Sequence, residues 1–197
     1  SEFLEPVESF RSFNEFFYRK LKKEARPFDM RADVAVMPTD GRFLFYQKIS
    51  EADGFIVKGK KFCLETLLNS EGLAKRYAGG SMVIARLCPT DYHRFHFPCK
   101  NVPGKTRLIN GWLTSVNPIA LKKNISILTQ NKRYICQIFS ELFGNILLLE
   151  IGATNVGSVY QTYTSSVEYE KGIEKGYFAF GASALILLFE PDKIVFD

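Results

Sequence analysis

Most of this sequence consists of short apolar runs separated by turn residues, and this pattern sets the fold class. After residue 37, β-branched and aromatic residues recur in runs of three to seven residues, which are too short for typical helices. Such runs, bounded by Gly, Pro, Asn and Ser, are typical of β-strands. The nine predicted strands are residues 43–49, 55–57, 82–87, 107–113, 125–128, 133–139, 146–151, 158–163 and 184–189. We therefore expect a mainly β (α+β) protein with a sandwich or barrel-like body.

Two other segments have a helical period. Near the N-terminus an apolar stripe is followed by a basic cluster, and the helix stops at the Ala-Arg-Pro sequence of residues 25–27. The stripe consists of Phe10, Phe13, Phe17 and Leu21, and the cluster of Arg19, Lys20, Lys22 and Lys23. A short amphipathic helix of this kind either caps a core or lies in a membrane interface. A second helix is predicted over residues 63–77, so we expect one or two helices besides the first.

The positive charge is concentrated in one part of the chain. The formal net charge is +5, yet no acidic residue occurs between Tyr92 and Ser140. That stretch contains Arg94, Lys100, Lys105, Arg107, Lys122, Lys123, Lys132 and Arg133. A surface of one sign attracts nucleic acid or anionic headgroups, whereas the alternative is a set of solvated loops.

The sequence also indicates the compartment. The four cysteines contain no C-x-x-C pair, which favours reduced thiols in a cytoplasmic setting. The first residues have neither a basic region nor an apolar core, so we expect no export signal there. No uncharged apolar run approaches the ~18–20 residues that a membrane-spanning helix requires.

Both histidines of the chain, His93 and His96, lie in one short segment between Pro89 and Pro98. Imidazole titrates nearest to neutral pH, so this pair suits general acid and base catalysis. A metal site would need a third ligand, and no Cys, Asp or Glu stands at a matching spacing. Two ordinary structural histidines are the alternative at this point.

The wider set of motifs resembles the phosphatidylserine decarboxylases. Its most specific parts are the Asp-Tyr-His-Arg-x-His-x-Pro run of residues 91–98 and the Gly-Tyr-Phe-x-Phe-Gly-x-Ser ending of residues 176–183. The other matching segments are Phe-Asn-Glu-Phe-Phe-Tyr-Arg-Lys-Leu at 13–21, Pro-Thr-Asp-Gly at 38–41, Ser-Val-Asn-Pro at 115–118, Asn-Lys-Arg at 131–133, Val-Gly-Ser at 156–158 and Lys-Gly-Ile-Glu-Lys at 171–175. Members of this family also carry helical segments before the Phe-Asn-Glu-Phe-Phe motif, so we expect this chain to be shortened at its N-terminus.

The resemblance implies an enzyme that generates its own cofactor, a pyruvoyl group, from Ser183. Asp40 and His96 would form a triad with this serine, whose hydroxyl attacks the carbonyl of Ala182 and converts the peptide bond into an ester. Elimination from the ester would leave a large chain ending at Ala182 and a small pyruvoyl chain of residues 183–197. The pyruvoyl carbonyl then serves as the electron sink for removal of carbon dioxide.

The resemblance also assigns roles in turnover. His93 would return a proton to the headgroup carbon, and Ser115 would bind the substrate headgroup. No metal is implied. The expected reaction is decarboxylation of phosphatidylserine to phosphatidylethanolamine by a carboxy-lyase made as a zymogen.

One motif departs from the family pattern. The family sequence Gly-Gly-Ser-Thr is replaced by Gly-Ala-Ser-Ala at residues 181–184. Aligned to the family motif without gaps, Ser183 takes the position of the nucleophile. An alignment shifted by one residue would place an alanine there and would describe a variant that cannot process itself. Alanine lacks the access of glycine to positive φ, so cleavage would be slower. Two further readings are a Ser-His-Asp hydrolase, although Ser183 is in no Gly-x-Ser-x-Gly elbow, and a catalytically silent lipid-binding module.

Because the implied substrate is a lipid, the basic residues are better explained by a membrane surface than by nucleic acid. We expect residues 1–29 to be a membrane-facing segment and residues 30–197 to be the catalytic β domain. The expected partners are phosphatidylserine and an anionic membrane surface, not nucleic acid, and a homodimer is left open. The expected location is peripheral, or monotopic, at the cytoplasmic side of a membrane.

Overall fold

A computed structural model describes residues 2–52, 62–154, 158–180 and 183–197. Within these ranges there are six short α-helices: α1 (Phe13–Phe17), α2 (Ile49–Ala52), α3 (Leu64–Leu68), α4 (Glu71–Tyr77), α5 (Pro118–Lys123) and α6 (Ile127–Gln130). The strands are β1 (Arg42–Tyr46), β2 (Ser81–Leu87), β3 (Arg94–His96), β4 (Val102–Pro103), β5 (Arg107–Ile109), β6 (Arg133–Ser140), β7 (Gly144–Ile151), β8 (Val159–Gln161), β9 (Glu174–Phe178) and β10 (Ser183–Phe189). The expected mainly β class is confirmed.

The larger sheet has seven antiparallel strands in the order β1-β2-β10-β7-β6-β4, and β5 also pairs with β6. Strand β10 lies in its interior, where it pairs with β2 on one side and β7 on the other. All seven residues of β10 are buried because both of its faces are covered. This explains why residues 184–189 form an unbroken apolar run.

The two faces of the larger sheet pack against different layers. Ala184, Ile186 and Leu188 face one core together with Leu67, Leu68 and Leu128 of helices α3 and α6. The alternate residues Leu185, Leu187 and Phe189 face a second core that includes Phe95 and Phe178. Those two aromatic residues belong to a small sheet of order β3-β9-β8. The body is therefore sandwich-like, with a helical layer outside, and the described part of the larger sheet does not close into a barrel.

Most of the strand predictions agree with the structure. The runs at 82–87, 133–139, 146–151 and 184–189 coincide with β2, β6, β7 and β10. The prediction for 125–128 is wrong, because this segment leads into helix α6. Asn124 Oδ1 accepts hydrogen bonds from the Ser126 amide and hydroxyl there, and this side chain starts a helical turn. The predicted strand 55–57 lies outside the described residues.

The helices differ more from prediction than the strands do. The expected helix 63–77 is divided into α3 and α4, since Asn69 adopts a left-handed conformation at φ 47° and Ser70 caps the second helix. The first helix is only α1, which begins at the Ser12 cap and ends before Tyr18. Five described α-helices follow it, which is more than the one or two expected.

None of the helices in the described ranges has both the length and the apolar character needed to cross a bilayer.

Candidate active site

The sequence-predicted residues converge on the C-terminal end of β2. Leu87 pairs with Ser183, and Arg86 pairs with Ala184 on that side and with Arg42 on the other. Gly41 precedes β1 at φ +145°, and a Cβ on it would lie 2.7 Å from the Arg86 carbonyl oxygen. Only glycine permits this close approach. The Asp40 turn and the start of β10 are thereby brought to the same end of the sheet.

Ser183 occupies the first position of β10 and is 0% exposed. Its Oγ is one of four buried side-chain nitrogen or oxygen atoms that have no hydrogen-bond partner in the described structure. A buried hydroxyl without a partner costs about 1–3 kcal/mol. An unsatisfied polar atom in a native core needs an explanation, and a chemical role is one.

His93 is also 0% exposed, and its Nε2 is another of the four unpartnered atoms. Its Nδ1 lies 2.9 Å from the carbonyl oxygen of Asp91, so Nδ1 carries the proton and donates it. The ring stacks on Phe17 at a centroid distance of 3.8 Å. Burial lowers the pKa of His93 to about 4. At neutral pH this histidine is therefore uncharged and presents a lone pair on a buried nitrogen.

His96 is half-buried, and both of its ring nitrogens have partners. Its Nδ1 donates to the Gly172 carbonyl at 2.9 Å, and its Nε2 accepts from the Tyr92 hydroxyl at 3.1 Å. Burial lowers the pKa of His96 below its usual value. Its backbone amide donates to the Pro38 carbonyl at 2.7 Å, so residues 38–40 run beside β3.

Asp40 is bound by Arg26 in this structure. Arg26 Nε lies 2.9 Å from one carboxylate oxygen of Asp40 and Arg26 Nη2 lies 2.7 Å from the other. This hydrogen bonding raises the pKa of Arg26. Asp40 acts on His96 only through its charge, which is the weakest of the influences on the pKa of that histidine. The structure thus places the three triad residues at one end of the fold without hydrogen bonds among them, and their roles remain predictions.

Two residues of helix α1 belong to this site, and sequence reasoning missed both. Phe17 is 1% exposed and packs against His93 and, at 5.4 Å between ring centroids, against Phe180. Asn14 Oδ1 accepts a hydrogen bond from the Phe180 amide at 3.0 Å. The first helix therefore holds His93 and the segment leading to Ser183. The matching Phe-Asn-Glu-Phe-Phe motif was the signal that could have identified them.

Ser115 lies in a loop that is fastened to the same end of the sheet. It is half-buried, and its Oγ accepts from the Asn117 amide at 3.3 Å. Arg86 Nε donates to the carbonyl of the next residue, Val116, at 3.3 Å. Ser115 is therefore one residue from a direct contact with β2, and its role toward a headgroup stays a prediction.

We also searched the described residues for a metal site and for a surface groove near the predicted site. Among the residues that the structure describes, no group of three or more His, Cys, Asp or Glu side chains is placed to hold a metal ion. A surface groove of about 450 Å³ is lined by residues that include Lys100, Phe139, Leu142 and Glu168. None of the predicted site residues lines that groove.

The fold and site define a β-sandwich protein with a buried serine at the end of a central strand of its main sheet and two uncharged histidines at the start of the smaller sheet. The family model for phosphatidylserine decarboxylase matches residues 13–197, and the chain belongs to that family. The resemblance read from the motifs is confirmed.

Several relatives carry the same name. A phosphatidylserine decarboxylase proenzyme from Chlamydia pneumoniae is 54% identical over 196 residues, which cover 100% of this chain and 65% of the relative. Proteins of that name from Chlamydia muridarum and Chlamydia caviae are each 50% identical over 196 residues, covering 65% and 66% of their own lengths. The chain therefore spans slightly less than two thirds of these curated relatives.

Proposed function

We propose that this protein decarboxylates phosphatidylserine to phosphatidylethanolamine after cutting itself between Ala182 and Ser183. Membership of the family supports the reaction, and the name proenzyme of its relatives supports a processing step. The observation that carries the proposal is the Ser183 hydroxyl, which is fully buried at the start of a central strand and has no hydrogen-bond partner among the residues that the structure describes. Such a hydroxyl is available to react with its own backbone without an external substrate, and this reaction divides the chain. A hydrolase would instead keep its chain intact.

Self-cleavage needs a base for the Ser183 proton. The oxygen of Ser183 bonds to the Ala182 carbonyl carbon, the peptide C–N bond breaks, and the proton passes to the freed nitrogen. Subsequent β-elimination removes the Cα proton of residue 183 and breaks its Cβ–Oγ bond, so that Oγ leaves as part of the Ala182 carboxylate and the chain is divided. Water then converts the dehydroalanine left at position 183 into the pyruvoyl group and ammonia. His96 is uncharged and has an accepting Nε2, so it can take that proton once Tyr92 gives up its contact. Asp40 would stabilise the charged imidazole after releasing Arg26.

The residues present fit a pyruvoyl group at position 183. The group is small and uncharged, and it would begin a strand whose first residue already lies in a buried, partly unsatisfied environment. When formed, it supplies the electron sink that decarboxylation requires. Phe17 and the layers around β10 would exclude water from it.

His93 is the candidate for proton transfer during turnover. Because its pKa is about 4, its Nε2 begins as a base and must take up a proton before it can return one. The ammonium group of the substrate headgroup can supply that proton. The hydrogen bond to Asp91 fixes which nitrogen is available.

The substrate is a membrane lipid, so the proposed enzyme works at a membrane surface. We infer a peripheral position at the cytoplasmic side. The exposed basic residues between 92 and 140 support an anionic surface as partner.

Intact-mass measurement tests the processing step. We expect two chains that divide between residues 182 and 183, with the smaller chain lighter than its sequence by one ammonia. The same preparation should release carbon dioxide from phosphatidylserine dispersed in detergent. The matched control is Ser183→Ala, which should remain a single chain. A single intact chain that nevertheless decarboxylates the lipid would refute the proposal.

A further inference from the structure

A group of exposed apolar and basic residues lies between β5 and β6. Trp112, Leu113 and Ile119 are 74%, 41% and 66% exposed, and Lys122 and Lys123 are exposed as well. We call these five residues the tryptophan surface. Trp112 is the only tryptophan of the chain. Large apolar side chains left in contact with water mark an interaction site when they occur together.

The backbone of the loop that carries Trp112 is held in place by hydrogen bonds. The Trp112 amide donates to the Gln130 carbonyl at 3.1 Å, and its carbonyl accepts from the Lys132 amide at 2.8 Å. Asn131 Nδ2 donates to the Thr114 carbonyl at 2.7 Å. The loop is therefore ordered by main-chain contacts while its indole ring points outward. The exposure of Trp112 is a property of the fold.

Helix α5 has two faces, and its outer face is exposed. Ala120 and Leu121 pack against the main core. Ile119, Lys122 and Lys123 lie on the opposite side because residues three and four positions apart share a helix face. Asn117 caps the helix by accepting from the Ala120 amide at 3.0 Å. An apolar residue thus stands beside two ammonium groups on a well-defined helix face.

The basic stretch is not one uniform patch. Arg94 is paired with Glu174, Lys100 with Glu168, and Arg133 binds the carbonyls at the end of helix α3. Lys122 and Lys123, by contrast, are exposed, and they share a helix face with Ile119. The combination of an indole ring, aliphatic side chains and lysines fits the boundary between lipid headgroups and acyl chains.

The tryptophan surface is tied to the strands that flank Ser183. Val116 is bound by Arg86, which pairs with Ala184. On the other side, Asn131 Nδ2 donates to the Gly152 carbonyl at 2.8 Å, directly after Ile151, which also pairs with Ala184. The surface is therefore at the same end of the sheet as the N-terminus of β10.

We propose that the tryptophan surface docks this protein on an anionic lipid bilayer, an inference that rests on the proposed lipid substrate. Trp112, Leu113 and Ile119 enter the interface, and Lys122 and Lys123 bind acidic headgroups. The first helix was expected to do this, but Phe17 is occupied by His93 and Phe180. Docking through the loop would hold the bilayer surface beside Ser183.

The single tryptophan makes the test direct, because its fluorescence reports only this surface. We would add vesicles of phosphatidylcholine with phosphatidylserine to the full chain and record the emission of Trp112. A blue shift and protection from acrylamide are expected. Lys122→Glu/Lys123→Glu should require at least ~30-fold more lipid, since each lysine contributes about 1 kcal/mol near an anionic surface. The matched control, Lys22→Glu/Lys23→Glu, reverses two exposed charges near the N-terminus and should require little additional lipid.

The outcomes separate this proposal from the proposed function. If the protein sediments with vesicles and Trp112 emission does not shift, the docking proposal is wrong. It is equally wrong if the N-terminal variant loses more binding, or if an oligonucleotide shifts the emission and vesicles do not. Self-cleavage and carbon dioxide release from detergent-dispersed lipid are measured separately. Their failure alongside a normal blue shift would refute the decarboxylase and leave the docking surface standing.

Discussion

Two fully buried polar regions of this molecule are built in opposite ways. In the first, Lys175 Nζ donates to Glu150 Oε1 at 2.6 Å and to Gln161 Oε1 at 2.7 Å, and Gln161 Nε2 donates to Glu150 Oε2 at 3.2 Å. The side chains of Glu150 and Lys175 are both 0% exposed. In the second, Ser183 Oγ and His93 Nε2 are equally buried, and within the described part of the chain they have no hydrogen-bond partner. One region meets its hydrogen-bonding needs internally, and the other does not.

This difference distinguishes a buried polar network that stabilises the fold from buried polar atoms that are candidates for catalysis. Glu150 lies on β7 of the larger sheet, whereas Gln161 and Lys175 lie on β8 and β9 of the smaller one, so their network ties the two layers together. A buried ion pair is stable only when its members are mutually satisfied. The Ser183 and His93 atoms add nothing to stability, and the proposed reaction would explain why they are kept.

The largest expected effect is at the serine. Ser183→Ala should abolish self-cleavage completely, because no other hydroxyl begins β10. The free energy of unfolding should stay equal or rise by up to ~1–2 kcal/mol, since an unsatisfied buried hydroxyl is removed. Gel separation after long incubation and urea denaturation measure the two quantities. A clear loss of stability would show that Ser183 is bonded after all.

The next effect concerns the two histidines. His93→Gln should still process itself but should decarboxylate roughly 10²–10⁴-fold more slowly, because Nε2 no longer transfers a proton. His96→Gln is the matched control and should block processing instead. Carbon dioxide release is measured on fully cleaved enzyme. A processed His93→Gln protein that works at the parental rate would remove His93 from the mechanism.

Substitutions in the buried network of Glu150 and Lys175 should change the free energy of unfolding. Lys175→Met leaves the Glu150 carboxylate buried without its cation and should lower the free energy of unfolding by about 3–5 kcal/mol. Glu150→Leu/Lys175→Met removes both charges and should recover most of that loss. Denaturant unfolding of both variants tests this. If the double variant is no more stable than the single one, charge burial is not the cause.

The smallest expected effect is a dependence on pH. The pKa of His93 is about 4 in the folded protein and ordinarily 6.5, so only the unfolded chain takes up a proton between these values. The stability that the neutral ring contributes is complete above pH 6.5 and is lost as the pH falls toward 4, by up to about 3 kcal/mol. Burial lowers the pKa of His96 in the same direction. His93→Gln should flatten the pH profile of unfolding between pH 6.5 and 4, and an unchanged slope would contradict the burial of His93.

Sequence reasoning predicted the long strands β2, β6, β7 and β10 of the main sheet and the family, whereas the roles of the site residues stay predictions. The run at 184–189 is apolar on both faces, which only a central strand explains. The short run at 125–128 carries no period that separates strand from helix, and the side chain of Asn124 decided the outcome locally. The contacts of Phe17 with His93 and of Glu150 with Lys175 join distant residues through the packing of separate layers, so no local pattern predicts them. Whether Ser183 has a partner is likewise a property of the packed interior.

The position of β10 has a consequence for what happens after the proposed cut. Residues 183–189 are hydrogen-bonded along both edges and buried on both faces, so a chain severed before Ser183 keeps its short C-terminal piece in place. Once such a molecule is denatured, however, the piece diffuses away and the centre of the sheet can be rebuilt only by a collision between two molecules. Refolding then depends on protein concentration, whereas the uncut chain refolds alone. The proposed cleavage would thus change refolding from a reaction of one chain into an association of two.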